Sequence, residues 1–164
     1  MKRLLEAYAL YRNTENATHE LVIVGEALWS NLAYQTELSQ VIKSTVHFTG
    51  HLPIEELAKI MGAASIFTYV PYFEGFGIPL VEAMKCGTPI LSGELTSLPE
   101  VAADAALYCN PFDVKDIAEK MHILANNSEL RTDLSQKGLI RNKAFDWDQS
   151  AQIVWECILK SVSN

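Results

Sequence analysis

The sequence predicts an α/β fold in which helices cover both faces of a parallel sheet. Short apolar runs, typical of strands buried on both faces, alternate with segments whose apolar residues recur at helical spacing. This alternation is the order expected for parallel strands joined by helical crossovers. No repeat, low-complexity stretch or linker interrupts the series, so we expect residues 1–164 to form a single domain.

The predicted strands lie in the first two thirds of the chain. Their ranges are 21–25, 46–50, 65–70, 89–93 and 106–110. Predicted helices separate them, at 4–11, 34–42, 53–61 and 78–86, with a short helix near 99–103. Pro53 suits a first helical position, and Gly87 with Pro89 beyond it marks the end of the helix at 78–86.

The last third of the sequence has only helical patterns. Asp113, Ser128 and Asp146 each precede such a pattern, where a side-chain oxygen can cap the first turn. The final pattern carries a wide apolar stripe that contains Trp155. We therefore expect Trp155 to be a core residue.

Composition and charge exclude several classes of protein. Apolar residues make up 49% of the chain and charged residues 20%, so it can bury a core and is not disordered. The 13 basic and 20 acidic residues give a net charge of −7, and no basic run is present, so nucleic-acid binding is not expected. The three cysteines have no metal-ligand spacing and suggest reduced thiols. With neither a secretory signal nor a membrane-length apolar stretch, the sequence predicts a cytoplasmic protein without a metal site.

The glycine-containing segment "PYFEGFGIPLVEAMKCGTPI" at 71–90 is the best candidate for a binding site. It starts where the strand at 65–70 ends, and ligands of such sheets lie beyond the carboxyl ends of the strands. Gly75 and Gly77 can adopt backbone conformations with positive φ, which other residues rarely adopt. They can therefore turn the neighbouring N–H groups outward. Free N–H groups at a helix start bind anions, typically phosphate.

Two glutamates flank the start of the predicted helix. Glu74 lies on the turn, and Glu82 lies in the first helical turn or just past it. Carboxylates accept hydrogen bonds from sugar hydroxyls, so amides and glutamates together predict a pocket for a sugar nucleotide. The residues alone leave two alternatives open. The turn and its glutamates could be purely structural, or the paired carboxylates could serve glycoside hydrolysis, which no other feature supports.

The motif "EGFGIPLVEAMKCGTPI" resembles the glutamate-x7-glutamate signature of retaining group 1 glycosyltransferases, which have the two-domain GT-B architecture. The segments "LVIVG", "VHFTGHLPIEELAKIMGAASIF", "TSLPEVAADAALYCNPFD" and "FDWDQSAQ" are also similar to that family. The likeness covers nearly the whole chain. It implies a Rossmann-like domain, the donor-binding half of a GT-B enzyme, with the first strand and the N-terminal acceptor domain missing.

The resemblance also implies a role for each matching residue. Glu74 would be the catalytic residue and contact the donor sugar near the reacting carbon, and Glu82 would hold the ribose hydroxyls. The other implied donor-binding residues contact the ligand largely through backbone, and they are Gly25, Gly50, His51, Leu52, Gly75, Phe76, Gly77 and Ile78.

The family's chemistry implies transfer of a sugar from a nucleotide-sugar donor to an acceptor with retention of anomeric configuration. It implies no metal and no cofactor besides the donor, and it allows peripheral membrane association of the full-length enzyme. Two alternatives have the same architecture: a sugar-nucleotide epimerase domain and a non-catalytic binding module. Residues of the acceptor domain would separate the first alternative from a transferase.

Two departures from the family pattern bear on activity. Ala27 stands where the family often has a second glycine. Lys2 and Arg3 fall on a predicted helix, so we do not assign them the family's pyrophosphate-binding role, and we expect the isolated chain to bind donor weakly and be nearly inactive.

Because the missing strand would leave unpaired edges, we expect the strand at 21–25 either to pair with that at 65–70 or to meet another chain.

Overall fold

The computed structural model describes residues 1–25 and 44–162, and its strands and helices alternate as predicted. The strands are β1 (Leu21–Val24), β2 (Val46–Gly50), β3 (Phe67–Tyr69), β4 (Ile90–Gly93) and β5 (Ala106–Cys109). The α-helices are α1 (Lys2–Arg12), α2 (Ile54–Ala63), α3 (Ile78–Lys85), α4 (Leu98–Ala102), α5 (Val114–Asn126), α6 (Ser128–Arg141) and α7 (Trp147–Val162). The predicted helix at 34–42 and the departure at Ala27 lie outside the described residues. Pro53 precedes α2 rather than opening it.

The described strands pair in parallel, but they form two sheets rather than one. β1 pairs with β2, and β3, β4 and β5 form a second sheet in that order. Direct pairing of β1 with β3 is therefore a wrong prediction, whereas contact of β1 with another chain stays a prediction. Ile23 of β1 and Leu91 of β4 lie in one apolar cluster, so side-chain packing joins the two sheets where hydrogen bonds do not.

Helices cover both faces of the β3–β4–β5 sheet, as predicted. Ile90 and Leu91 are fully buried neighbours on β4, and because successive side chains on a strand alternate, they belong to different apolar clusters. The cluster of Leu91 includes apolar residues of α1 and α5, whereas that of Ile90 includes residues of α2, α3 and α4. Burial on both faces explains why the strands are continuous apolar runs in the sequence.

Each of the last three helices, α5, α6 and α7, begins with a side-chain cap. Asp113 and Asp146 accept hydrogen bonds from amides of the following turn and cap α5 and α7, which confirms both predictions. The prediction for α6 is off by one residue. Asn127, not Ser128, accepts a hydrogen bond of 2.9 Å from the amide of Leu130, since the Asn127 backbone is extended and Ser128 is already helical.

The prediction that Trp155 is a core residue is wrong for the described structure. Its side chain is 58% exposed, and no residue of α7 is buried. The helix is amphipathic as its sequence indicates, but the rest of the described chain does not cover its apolar stripe. Amphipathicity alone predicts that a helix has an apolar face, and it does not identify what packs on that face.

Candidate functional site

The turn between β3 and α3 is built around Gly77. Gly77 is the residue that precedes the first turn of α3, and its φ of +104° is one that residues with a side chain rarely adopt. A Cβ atom at this position would lie 2.9 Å from Cδ2 of Leu98 on α4. The prediction of a glycine-dependent turn is thus confirmed at Gly77. Gly75 does not have a positive φ and has open space where its Cβ would be, so the turn does not require glycine there.

The Glu74 carboxylate folds back onto its own turn. Its Oε1 accepts hydrogen bonds from the amides of Gly75, at 3.0 Å, and Phe76, at 3.4 Å. Its Oε2 accepts a hydrogen bond from the hydroxyl of Tyr69, the last residue of β3. The sequence predicted that the amides of Phe76, Gly77 and Ile78 face outward toward a ligand. That prediction is wrong for Phe76, whose amide donates to Glu74, as does the amide of Gly75.

These hydrogen bonds set the protonation states of both partners. The Tyr69 hydroxyl, followed by the Phe76 amide, lowers the pKa of the Glu74 carboxyl below its usual value of 4.5. Burial, together with the hydrogen bond to Glu74 and its charge, raises the pKa of Tyr69 to about 12. At neutral pH the phenol is therefore a protonated donor and the carboxylate an ionised acceptor.

We expect the Glu74→Gln variant to lose less stability on acidification than the wild type. Since the folded-state pKa of Glu74 lies below the unfolded value, its ionised form stabilises the fold above that unfolded value. The stabilisation is lost as pH falls through the folded-state pKa, and Gln has no such titration. Thermal unfolding at pH 7 and pH 3 measures the effect. Equal losses in the two proteins would show that the Glu74 carboxylate is not held as described.

The backbone of the turn has its own anchor just before α4. Ser97, which precedes α4, donates a hydrogen bond of 3.0 Å from its hydroxyl to the backbone oxygen of Glu74. The Phe76 ring packs edge-on against Phe145, with centroids 5.9 Å apart. Sequence reasoning missed Tyr69 and Ser97. Tyr69 could have been found as a polar group at the strand end five residues before Glu74, whereas Ser97 is too distant in sequence to give a local signal.

Glu82 lies on α3, just past the first turn, as predicted. It is partly buried, and among the described residues none forms a hydrogen bond or ion pair with its carboxylate. The carboxylates of Glu74 and Glu82 thus differ, because described residues donate hydrogen bonds to the first and none of them does so to the second. Two surface pockets of about 340 Å³ each lie elsewhere, on α6 and α7, so a pocket shared by both glutamates stays a prediction.

Four of the remaining predicted residues lie at or just after the carboxyl ends of β1 and β2. The amide of Gly25 donates a hydrogen bond of 2.9 Å to the backbone oxygen of Gly50, which brings these two predicted positions together. Both have positive φ, +118° and +70°. His51 follows and is exposed, and Leu52 is partly buried. Ile78 is the first residue of α3 and is also exposed.

An arginine on α1 reaches the turn that carries Glu74. The Arg3 guanidinium lies 4.2 Å from the ring centroid of Tyr72 and 5.2 Å from that of Phe112. The two rings stack with centroids 4.9 Å apart. Arg3 thus places a cation beside aromatic rings that follow the ends of β3 and β5.

Within residues 1–25 and 44–162, no group of three or more His, Cys, Asp and Glu side chains is arranged to hold a metal ion. In the same ranges, no helix combines the length and the hydropathy needed to cross a bilayer.

Comparison with known proteins identifies the family. The family model described as glycosyl transferases group 1 matches residues 1–141. The chain belongs to the group 1 glycosyltransferases. The O-antigen chain mannosyltransferase B of Escherichia coli is 32% identical over 149 residues, which are 90% of this chain and 39% of that enzyme. The MMP alpha-(1->4)-mannosyltransferase of Mycolicibacterium hassiacum is 34% identical over 115 residues, 67% of this chain and 28% of that enzyme.

Solved structures confirm the fold of this group 1 glycosyltransferase chain. Sucrose-phosphate synthase from Thermosynechococcus elongatus superposes with a TM-score of 0.84 at 21% identity, over 99% of this chain and 42% of that one. HepE from Anabaena, solved in complex with UDP-glucose, gives a TM-score of 0.80 at 20% identity, over 98% of this chain and 45% of that one. The chain spans about two-fifths of the length of the mannosyltransferase B of Escherichia coli and of both solved structures. The predicted GT-B fold class is confirmed.

Proposed function

We propose that residues 1–164 form the donor-binding part of a glycosyltransferase that moves a sugar from a nucleotide-sugar to an acceptor with retention of configuration. The geometry of the β3–α3 turn is the observation that carries the proposal. Gly77, in the left-handed backbone conformation, precedes α3, and Glu74 lies on the turn before it. Glu82 on α3 has no side-chain partner among the described residues. Backbone donors and carboxylate acceptors within one short segment suit the phosphates and hydroxyls of a nucleotide-sugar.

The proposal gives the two glutamates different tasks. Glu82 accepts hydrogen bonds from ribose hydroxyls, because its carboxylate is unpaired in the described structure. Glu74 contacts the donor sugar and is the proposed catalytic residue. The loop at 50–52 lies along the base, and Gly25 lies next to it. The amides of Gly77 and Ile78 face the sugar and phosphate, whereas the amide of Phe76, the third position that the resemblance implies, donates to Glu74.

The relatives suggest which donor to test first. Both relatives compared above are named mannosyltransferases, so we propose a nucleotide-activated mannose as the donor. Because the chain spans 39% of the first of these enzymes, the proposal assigns acceptor binding to residues outside 1–164. Turnover is expected of the full-length enzyme and not of these residues alone. We further propose that the enzyme acts in the cytoplasm and needs no metal.

We expect calorimetry with GDP-mannose, UDP-glucose and ADP-glucose to detect binding of at least one of them, unaffected by EDTA. For the ligand that binds, Glu82→Ala should raise the dissociation constant about tenfold. The reason is that hydrogen bonds to a charged group contribute about 1.5–3 kcal/mol to binding. Glu119→Ala removes an exposed glutamate from α5 and should leave binding unchanged. Failure of all three ligands to bind would contradict the proposal and favour a non-catalytic module.

A further inference from the structure

Tyr69 joins the apolar core to the candidate site. Its ring packs parallel to that of Phe67, with centroids 6.1 Å apart and planes 13° apart, and it contacts the apolar cluster that contains Leu80. Its hydroxyl leaves this cluster and donates a hydrogen bond to Oε2 of Glu74. The ring therefore fixes the position of a donor that points at the proposed catalytic carboxylate.

We propose that Tyr69 is a positioning residue for Glu74, whose hydroxyl fixes the carboxylate on the turn and directs its remaining acceptor capacity toward the donor sugar. The part that concerns the donor sugar rests on the proposed function. The part that concerns the carboxylate's position stands on the geometry of Tyr69 alone.

The backbone and the side chain of Glu74 have separate anchors. Ser97 holds the backbone oxygen of Glu74 at 3.0 Å, and Tyr69 holds its carboxylate. Loss of the Tyr69 hydroxyl should therefore leave the path of the turn intact and free only Oε2, since Oε1 keeps the amides of Gly75 and Phe76. This separation makes the role of Tyr69 testable without disrupting the fold.

Counting lone pairs shows what Tyr69 controls. A carboxylate has about four acceptor positions on its two oxygens. Three of them are used by the Tyr69 hydroxyl and the amides of Gly75 and Phe76. The position left for a sugar hydroxyl is on Oε2, the oxygen that Tyr69 holds. The direction of that last acceptor is consequently set by Tyr69.

The protonation states of Tyr69 and Glu74 keep this hydrogen bond unchanged around neutral pH. The pKa of Tyr69 is raised to about 12, so the phenol stays a donor, and the pKa of Glu74 is lowered, so the carboxylate stays an acceptor. A hydrogen bond from a neutral donor to an ionised acceptor is stronger than one between neutral groups. Tyr69 therefore restrains Glu74 without adding a charge to the site.

The test compares Tyr69→Phe with Tyr108→Phe in the full chain. Tyr108 is a matched control, because its hydroxyl donates a hydrogen bond of 2.7 Å to the backbone oxygen of Ala103 and its pKa is also raised to about 12. The readout is a ¹³C NMR titration of the Glu74 carboxyl carbon, assigned by its loss in Glu74→Gln. We expect Tyr69→Phe to raise the Glu74 pKa and Tyr108→Phe to leave it unchanged. An unchanged Glu74 pKa in Tyr69→Phe would overturn the proposal.

Binding of GDP-mannose, UDP-glucose and ADP-glucose to the same variants gives the second readout. We expect Tyr69→Phe to bind the best-bound ligand about tenfold more weakly, the factor that corresponds to loss of one hydrogen bond to a charged group. The affinity of Tyr108→Phe for that ligand should be unchanged. Equal or tighter binding by Tyr69→Phe would overturn the role toward the donor. If the wild type binds none of the three, the proposed function fails, and the titration alone decides whether Tyr69 positions Glu74.

Discussion

Gly77→Ala is expected to destabilise the chain by about 2–4 kcal/mol, since a strained backbone costs about 1–3 kcal/mol and an overpacked contact a similar amount. Gly77 has a φ of +104°, and its added Cβ would lie 2.9 Å from Cδ2 of Leu98, which is fully buried. The strain cannot be relieved by moving Leu98 into solvent. The free energy of unfolding in urea, at an unchanged m-value, measures the loss. Donor binding should fail with it, because the start of α3 would shift.

Gly75→Ala is the matched control for this experiment. The position is two residues away on the same turn, lacks a positive φ and has no atom within 4 Å of the added Cβ. The free energy of unfolding of this variant should stay within about 0.5 kcal/mol of that of the wild type, as for most exposed substitutions. If both variants lost equal stability, the conformation described for Gly77 would not be the cause.

Leu80→Ala is expected to destabilise the chain by about 3–4 kcal/mol, as for a fully buried leucine whose removal leaves a cavity. Leu80 is 0% exposed on α3, two residues before Glu82, in the apolar cluster that also contains Met84 and Ile90. The cavity would open beneath the first turn of the helix that carries the site. Urea unfolding measures the change in stability.

Leu10→Ala applies the same chemical change to an exposed position. Leu10 lies on α1 and is 43% exposed, so its truncation removes less buried surface and should cost below about 1 kcal/mol. A loss at Leu10 as large as that at Leu80 would mean that the described packing around α3 is incorrect.

The fold was predictable from the sequence because its signals are local. Continuous apolar runs identified strands buried on both faces, and Asp113 marked the start of α5 through a hydrogen bond within four residues. The glycine at position 77 was predictable for the same reason, since a strand-to-helix turn needs a conformation that few other residues adopt.

The wrong or missed predictions depend on distant contacts. Pairing of β1 with β3 was a tertiary question, and no pattern within either strand decides it. The exposure of Trp155 depends on what lies opposite α7, which amphipathicity does not reveal. At the site, the sequence identified Glu74 but not the state of its carboxylate, because that state depends on Tyr69 and on the conformation of the turn.

The division of the described strands into two sheets has a mechanical consequence. Gly50 ends a strand of one sheet, whereas Glu74 follows a strand of the other, and within residues 1–25 and 44–162 no strand pairing joins the two sheets. A ligand held at both places would add a direct link between the two sheets. Occupancy of the site would then stiffen the domain as a whole, and the protein would gain rigidity at the moment it holds its substrate.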